Sequence, residues 1–332
     1  MNVLVCGGAG YIGSHAVRLL KRAGYGVLVL DSLVKGHRES IGDVPLIRAD
    51  INDRQALEGV FNRNSVDAVM HFAAHSLVGE SVARPDIYYR NNVAGTLNLL
   101  EAMEAAGVRR IIFSSTAAVY GEPVATPIRE DHPTDPTNPY GATKLAVEGM
   151  LRWFAGAFGL KYISLRYFNA AGADPAGDIG EDHSPETHLI PLVLKAAAGL
   201  APEVRVFGND YSTPDGTCVR DYIHVNDLAD AHILALQALL NGGGPAVYNL
   251  GNGSGFSVLE VIRAAESVTG RAIKTVMAER RPGDPAVLVA SSEKARRELG
   301  WKPGFYDLET IISTAWKWHQ SNPDGYFGQK SE

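Results

Sequence analysis

The chain has 332 residues, of which 45% are hydrophobic and 20% charged, and its formal net charge is −6 at pH 7. That length predicts more than one small core, because a domain usually holds ~100–200 residues. The sequence contains no apolar run of about 18 residues and no basic stripe, so neither a membrane nor nucleic acid is expected as a partner. The two cysteines, Cys6 and Cys218, lie outside any CxxC pair. This disfavours disulfides and structural zinc and indicates a reducing cytoplasm.

The first predicted elements are a strand, a glycine turn and a helix. A short apolar run over residues 2–6 is followed by Gly7, Gly10 and Gly13 and then by a helical period over residues 12–23. Glycines with this spacing let the backbone approach a pyrophosphate, which the helix N-terminus also favours. A second predicted strand, residues 26–30, ends in Asp31, whose carboxylate suits a ribose diol and repels a 2′-phosphate. The segment therefore predicts a dinucleotide site that prefers NAD to NADP.

Further apolar runs predict a doubly wound parallel sheet of the Rossmann type. They cover residues 45–49, 68–72 and 110–114. Helical patterns alternate with these runs, and one of them is a long predicted helix over residues 88–106. Ligand contacts in such a sheet gather at the carboxyl ends of the strands. The residues expected at that edge are Asp50, Ile51, Phe72, Ala73, Ala74, Ser114, Ser115 and Thr116.

A tyrosine and a lysine four residues apart, Tyr140 and Lys144, are predicted to lie on one face of a helix that ends near residue 158. A free phenol titrates near ~10, but a neighbouring cation favours the phenolate, so the pair is expected to transfer protons near neutral pH. Thr116, at the end of a predicted strand, is expected to place its hydroxyl beside this phenol.

The second half of the chain is expected to form a smaller α/β substrate domain. A strand over residues 162–168 is followed by a long polar loop, residues 173–187. We therefore predict a cofactor domain over residues 1–172 and a substrate domain over residues 173–332, with segments near 221–250 packing back on the first domain. Other predicted elements are helices over residues 189–198, 258–269 and 307–319, a helix from residue 227, and strands over 204–207 and 246–250.

Seven stretches of the chain resemble the UDP-sugar 4-epimerases of the extended short-chain dehydrogenase/reductase family. They read VLVCGGAGYIGSH, FSSTAAVYG, NPYGATK, LRYFNAAG, FGNDYSTPDGTCVRDYIHV, YNLGNG and RRPGD. The resemblance covers nearly the whole chain. It implies an enzyme with tightly bound NAD that interconverts UDP-glucose and UDP-galactose through a transient 4-keto sugar, with a UDP-sugar as its small-molecule partner.

The resemblance also implies which residues bind the cofactor. They are Gly7, Gly10, Tyr11, Ile12, Asp31, Ser32, Asp50, Ile51, Phe72, Ala73, Ala74, Asn91, Tyr140, Lys144 and Phe168.

By the same resemblance Tyr140 is the catalytic base, Lys144 tunes it, and Thr116 binds the sugar hydroxyl at C4. Phe168 also lies near the sugar. The remaining implied substrate contacts are Asn169, His188, Leu189, Phe207, Arg220, Arg281 and Asp284. His188 departs from members that carry asparagine there. Leu288 replaces a tyrosine found in members that accept only non-acetylated sugars, so it is a candidate gate for acetyl groups.

Three alternatives remain open at this stage. The sugar could be a UDP-N-acetylhexosamine or a UDP-pentose. A nucleotide-sugar 4,6-dehydratase is disfavoured, because such enzymes carry Asp-Glu after the threonine and this chain has Ala117 and Ala118. A non-catalytic NAD-bound regulator is disfavoured by Thr116, Tyr140 and Lys144. The resemblance further implies a homodimer that pairs through the helices near residues 88–106 and 138–158.

Overall fold

The computed structural model describes residues 1–281 and 284–328. Fourteen strands occur in this part of the chain: β1 (Asn2–Cys6), β2 (Gly26–Asp31), β3 (Leu46–Arg48), β4 (Ala68–His71), β5 (Arg110–Thr116), β6 (Lys161–Tyr167), β7 (Asn169–Ala171), β8 (Val204–Phe207), β9 (Val219–Arg220), β10 (Tyr222–His224), β11 (Ala246–Leu250), β12 (Phe256–Ser257), β13 (Thr275–Ala278) and β14 (Val287–Leu288).

Eleven α-helices lie in the same ranges: α1 (Tyr11–Arg22), α2 (Arg54–Arg63), α3 (Val78–Ala83), α4 (Pro85–Tyr88), α5 (Gly95–Ala105), α6 (Pro139–Phe158), α7 (Leu189–Ala197), α8 (Val225–Leu240), α9 (Val258–Thr269), α10 (Glu293–Leu299) and α11 (Leu308–Ser321). Short 3₁₀ helices occupy Arg38–Ile41, Ala117–Tyr120 and Gly325–Gly328. No helix of the described ranges is long and apolar enough to cross a membrane.

The predicted Rossmann sheet is confirmed. Seven strands pair in the order β11-β6-β5-β4-β1-β2-β3, and every pairing is parallel. The chain order reverses between β1 and β4, which creates the crevice where such sheets bind nucleotides. This topology brings the carboxyl ends of β1, β2, β4, β5 and β6 to one edge.

Helices cover both faces of the sheet. On one face Val17 of α1 and Leu236 of α8 join a buried cluster with the strands, and on the other face Leu57, Leu99 and Val147 do so from α2, α5 and α6. Strands buried on both faces read as continuous apolar runs, which is why β1 and β4 were visible in the sequence. The two layers of helices hold the carboxyl ends of the strands in position.

The chain leaves this sheet after β6 and builds a second packed region. There α7, α9 and α11 enclose a separate apolar cluster beside the short strands β8 and β10. The chain then returns, because α8 packs on α1 and β11 pairs with β6 in the main sheet. The division into domains at residue 172 stays a prediction.

Some elements differ from the expectation. The predicted helix over residues 88–106 is interrupted by a π-helical segment, Tyr89–Ala94, between α4 and α5. Buried Asn92 in that segment accepts from the backbone N–H of His75 and donates to the hydroxyl of Thr143. Segments of π-helix within α-helices are frequent at functional sites. The predicted helix from residue 227 begins two residues earlier, and α3, β13, β14 and α10 were not predicted.

Candidate active site

The glycine turn lies in contact with two neighbouring segments. Gly7 has φ +76°, and a Cβ there would lie 2.5 Å from the backbone nitrogen of Ala73. A Cβ on Gly13 would lie 2.1 Å from the carbonyl oxygen of Gly7. Only glycine therefore lets the turn approach the end of β4 and lets α1 begin directly on the turn.

The start of α1 and the end of β2 fit a dinucleotide. Gly10 is the N-cap of α1 and makes no side-chain cap hydrogen bond, which fits a pyrophosphate bound by the first N–H groups of the helix. The Asp31 carboxylate accepts from the N–H groups of Ala9 and Leu33, both at 2.9 Å. Burial raises the pKa of Asp31, and these two hydrogen bonds oppose that rise. The residues present thus fit NAD, with a carboxylate where NADP would place a phosphate.

The other predicted cofactor residues lie at the same sheet edge or on its flanks. Asp50 follows β3, Phe72 to Ala74 follow β4, and Asn91 lies in the π segment. The Phe72 ring lies 4.7 Å from the ring of His232. The Tyr11 hydroxyl donates to the carbonyl of Gly172 at 2.6 Å, so its polar atom is engaged by protein rather than open to a ligand. Ser32 and Ile51 directly follow Asp31 and Asp50.

Thr116 and Tyr140 meet at the end of β5. Thr116 lies close enough to Tyr140 to lower the pKa of its phenol, and the Thr116 hydroxyl accepts from the N–H of Ala118 at 3.1 Å. Burial raises the pKa of Tyr140, and Thr116 opposes that rise. The expected juxtaposition of the two hydroxyls is therefore present.

Lys144 is buried against β5. Its ammonium donates to the carbonyl of Ser114 at 2.7 Å and lies 4.9 Å from the centre of the Phe113 ring. Burial lowers the pKa of Lys144 to about 7, an effect that Glu148 opposes. Burial raises the pKa of Tyr140, so the expected lowering of that pKa by Lys144 stays a prediction.

A buried polar network beneath these residues was missed by the sequence analysis. Glu148, one helical turn after Lys144, accepts from Ser115 at 2.6 Å and from Arg166 at 2.9 and 2.5 Å. Arg166 also donates to Tyr120 at 2.9 Å, and Tyr120 donates to Asn249 at 2.7 Å. The network ties α6 to β5, β6 and β11. An acid four residues after Lys144 was the only sign of it in the sequence.

Leu288 lies in a small apolar cluster next to the catalytic strand. Its neighbours there include Ala117, Tyr120 and Phe168. In β14 it pairs with Arg220 of β9. The predicted gate residue thus lies between the residues that follow Thr116 and a predicted diphosphate contact.

The predicted nucleotide contacts fall into two groups. Arg220 forms an ion pair with Asp284, and Arg281 lies over the Phe207 ring at 4.0 Å. Asn169 starts β7, where it pairs with Tyr222. The structure gathers these residues on the second packed region. The ion pair between Arg220 and Asp284 was not predicted from the sequence.

His188 and Leu189 mark the start of α7. His188 is its N-cap residue, and its imidazole contacts the carboxylate of Glu181. Two more side chains of the same segment take part: His183 pairs with Glu181, and Glu186 pairs with His188. Neither pairing was predicted from the sequence.

The sheet order, the glycine turn and the Tyr140–Lys144 pair define a Rossmann-fold protein with a site of the short-chain dehydrogenase type. Residues 3–251 match the family model described as "NAD dependent epimerase/dehydratase family", and the chain belongs to this family.

Characterised relatives and solved structures resemble the chain over its whole length. The UDP-glucose 4-epimerase of Halalkalibacterium halodurans is 57% identical over 326 residues, which is 98% of each chain. A crystal structure of a UDP-glucose 4-epimerase superposes with a TM-score of 0.96 at 54% identity, covering 98% of this chain and 99% of that one. The crystal structure of the UDP-glucose 4-epimerase from Brucella ovis in complex with NAD superposes with a TM-score of 0.93 at 48% identity. It covers 95% of this chain and 97% of that one.

Proposed function

We propose that this protein is an NAD-dependent 4-epimerase that interconverts UDP-glucose and UDP-galactose. One observation carries the proposal: the Tyr140 phenol of α6 lies beside Thr116 at the end of β5, and the buried Lys144 ammonium of α6 donates to the Ser114 carbonyl of the same strand. The names of the full-length relatives support the choice of substrate.

The cofactor residues named above would hold NAD, which supplies a reversible hydride acceptor when bound. Tyr140 takes the proton of the sugar hydroxyl at C4 as that carbon is oxidised, and returns it when the ketone is reduced. Thr116 holds the same hydroxyl and partly offsets the raised pKa of the phenol. Lys144 fixes the end of β5 through Ser114 and adds positive charge in its protonated form.

Inversion at C4 requires that the hexose turn while the nucleotide stays fixed. Arg220 and Arg281 flank the proposed diphosphate position, and guanidinium groups bind phosphate oxygens in pairs. The ion pair of Arg220 with Asp284 orients the first of these groups.

The cofactor region is proposed over residues 1–172, with segments near 221–250 packed against it, and the UDP-sugar region over residues 173–332.

A 4,6-dehydratase begins with the same oxidation but also needs an acid beside the sugar C6. The two positions after Thr116 carry only methyl groups, and Ala117 is buried in the apolar cluster with Leu288. Neither alanine can protonate a leaving hydroxyl, so the epimerase is the better assignment.

The direct test supplies UDP-galactose, UDP-N-acetylgalactosamine and a UDP-pentose to the purified protein without added cofactor. We expect UDP-galactose to give UDP-glucose, identified by NMR, with no loss of the 6-hydroxyl. Conversion of the other two sugars alone would reassign the substrate, and a 4-keto-6-deoxy product would indicate a dehydratase.

Leu288→Tyr is expected to lower kcat/KM for UDP-N-acetylhexosamines by about 10-fold or more relative to UDP-galactose. The larger ring would occupy space beside Phe168 and Ala117, and a change of a few heavy atoms in a pocket discriminates substrates by ~10–200-fold. Steady-state rates on both sugars measure the ratio. Leu288→Met is the control of conserved volume, and equal losses on both sugars in the tyrosine variant would contradict the gate.

The helices near the predicted dimer interface carry exposed apolar side chains. Trp153 is 77% exposed on α6, and Phe158, Tyr89 and Leu97 are 46%, 47% and 37% exposed. Exposed aromatic residues of this size mark protein interfaces. These helices therefore support a homodimer, with α5 and α6 of each protomer in the interface.

Trp153→Lys is expected to convert the homodimer to monomer at micromolar concentration, because the substitution places a charge in the proposed apolar interface. Light scattering after size-exclusion chromatography measures the mass. Leu200→Lys, at a 65% exposed position outside these helices, serves as the control. A Trp153→Lys protein that stays dimeric, or a wild-type monomer, would refute this interface.

Cysteine chemistry fits operation in the cytoplasm. Cys6 and Cys218 are both free and buried. Burial raises the pKa of both thiols, so neither is a reactive thiolate, and a reducing compartment is the ordinary setting for unpaired cysteines.

A further inference from the structure

Four potential metal ligands converge in the segment between β7 and α7. Glu181, His183, Glu186 and His188 each offer one ligand atom, and these atoms all lie within 4.8 Å of one another. No metal site was predicted from the sequence. The spacing Glu-x-His-x-x-Glu-x-His was its only sign, and folding is needed to bring the four groups together.

The separations fit a tetrahedral ion. Nδ1 of His183 lies 3.1 Å from Oε1 of Glu181 and 3.9 Å from Oε2 of Glu186, and Nδ1 of His188 lies 4.0 Å from Oε1 of Glu186. Zinc binds histidine nitrogen and carboxylate oxygen at ~2.0–2.2 Å, which places neighbouring ligand atoms of a tetrahedron roughly 3.4 Å apart. The three separations, which involve both oxygens of Glu186, lie near this value, and Nδ1 of His188, which contacts Oε1 of Glu181 directly, would move away from that oxygen to admit an ion.

Charge in the cluster also points to a cation. The carboxylate side chains of Glu181 and Glu186 are 5% and 4% exposed. In the described ranges both pair with histidine, and no lysine or arginine forms an ion pair with either. Two adjacent buried carboxylates are costly unless positive charge compensates them. Protonated histidines could supply that charge, and so could one divalent ion bound by neutral imidazoles.

We propose that Glu181, His183, Glu186 and His188 form a binding site for a divalent transition metal ion of the Zn²⁺ type. Mixed imidazole and carboxylate ligands favour such an ion over Mg²⁺ or Ca²⁺, which take oxygen ligands and higher coordination numbers. A bound ion would join Glu181 to His188, the residue that precedes α7, and close the segment between them into a loop.

The surroundings are those of an oriented site. Oε1 of Glu186 accepts from the N–H groups of Thr187 and His188 at 2.6 and 2.8 Å. The His183 ring lies edge-on to Tyr11 with centroids 6.2 Å apart. Partners of this kind fix the direction of metal ligands. The ion would thus cross-link a segment that touches the glycine turn and carries His188 toward the proposed nucleotide position.

The test uses untagged protein with its natural cofactor, dialysed first against a chelator and then titrated with Zn²⁺ and, separately, with Co²⁺. We expect one ion per chain by elemental analysis and the visible ligand-field bands of tetrahedral Co²⁺. His183→Asn and Glu186→Gln should each weaken binding by at least about 100-fold, since even partners that merely orient a ligand contribute ~10–100-fold.

His37→Asn is the matched control, because His37 faces Asp182 of the same segment but lies outside the cluster. It should bind the metal like the wild type. Circular dichroism and bound NAD report whether each variant is folded. Failure of the wild type to bind one Zn²⁺ per chain, or unchanged affinity in folded Glu186→Gln, would show that the histidines only form ion pairs and would overturn the proposal.

Discussion

Tyr140→Phe is expected to lower kcat for UDP-galactose by about 10²–10⁴-fold, the usual contribution of a positioned proton-transfer group. The change removes the hydroxyl that lies beside Thr116 at the end of β5 and leaves the ring in place. Because the cofactor contacts proposed here lie mostly on the glycine turn and the strand ends, the variant should retain NAD. Turnover by NMR and extraction of the bound nucleotide measure the two effects separately.

Tyr162→Phe makes the same chemical change at the opposite end of the sheet. Tyr162 is buried in β6 beside Ile111, and we expect this control to keep wild-type turnover. A Tyr140→Phe protein with unchanged kcat would refute Tyr140 as the base. Loss of NAD from that variant would instead show that the phenol is needed to hold the cofactor.

Arg166→Met is expected to reduce the free energy of unfolding by about 3–5 kcal/mol, the usual cost of removing one partner of a buried ion pair. The side chains of Arg166 and Glu148 are 7% and 8% exposed, and the substitution leaves Glu148 without its bidentate partner. It also removes a donor from Tyr120. Urea unfolding followed by fluorescence measures the change, with NAD held at one saturating concentration.

Arg63→Met is the control for loss of a positive charge at the surface. Arg63 is exposed at the end of α2, outside the proposed interface, where such substitutions usually change stability by less than about 0.5 kcal/mol. Similar losses in the two variants would mean that the buried network does not stabilise the fold as argued. A double variant with Glu148→Leu should recover part of the loss, since it removes the uncompensated charge.

The sequence predicted what local patterns determine. Apolar runs identified β1, β2 and β4, and the glycines identified the turn, because burial on both faces and close backbone approach each require particular residue types. Tyr140 and Thr116 were expected to meet, since both lie at positions that a parallel sheet brings to one edge.

Features that depend on distant partners were not predicted. The network of Glu148 and Arg166 joins residues of α6 and β6 whose contact no local pattern encodes. The π segment arises where Asn92 contacts Thr143 across two helices. The protonation balance of Tyr140 and Lys144 depends on burial, and only the folded chain determines it. The residue roles at the site stay predictions until the variants are measured.

The return of the chain to the main sheet affects how the protein unfolds. Ala246 of β11 pairs with Ile163 of β6, so the outer strand joins the sheet only when the long segment between them is closed into a loop. Closing such a long loop costs chain entropy, and contacts between residues close in sequence do not compensate for that cost. The main sheet and the second packed region should therefore unfold in a single cooperative transition rather than as two separable units.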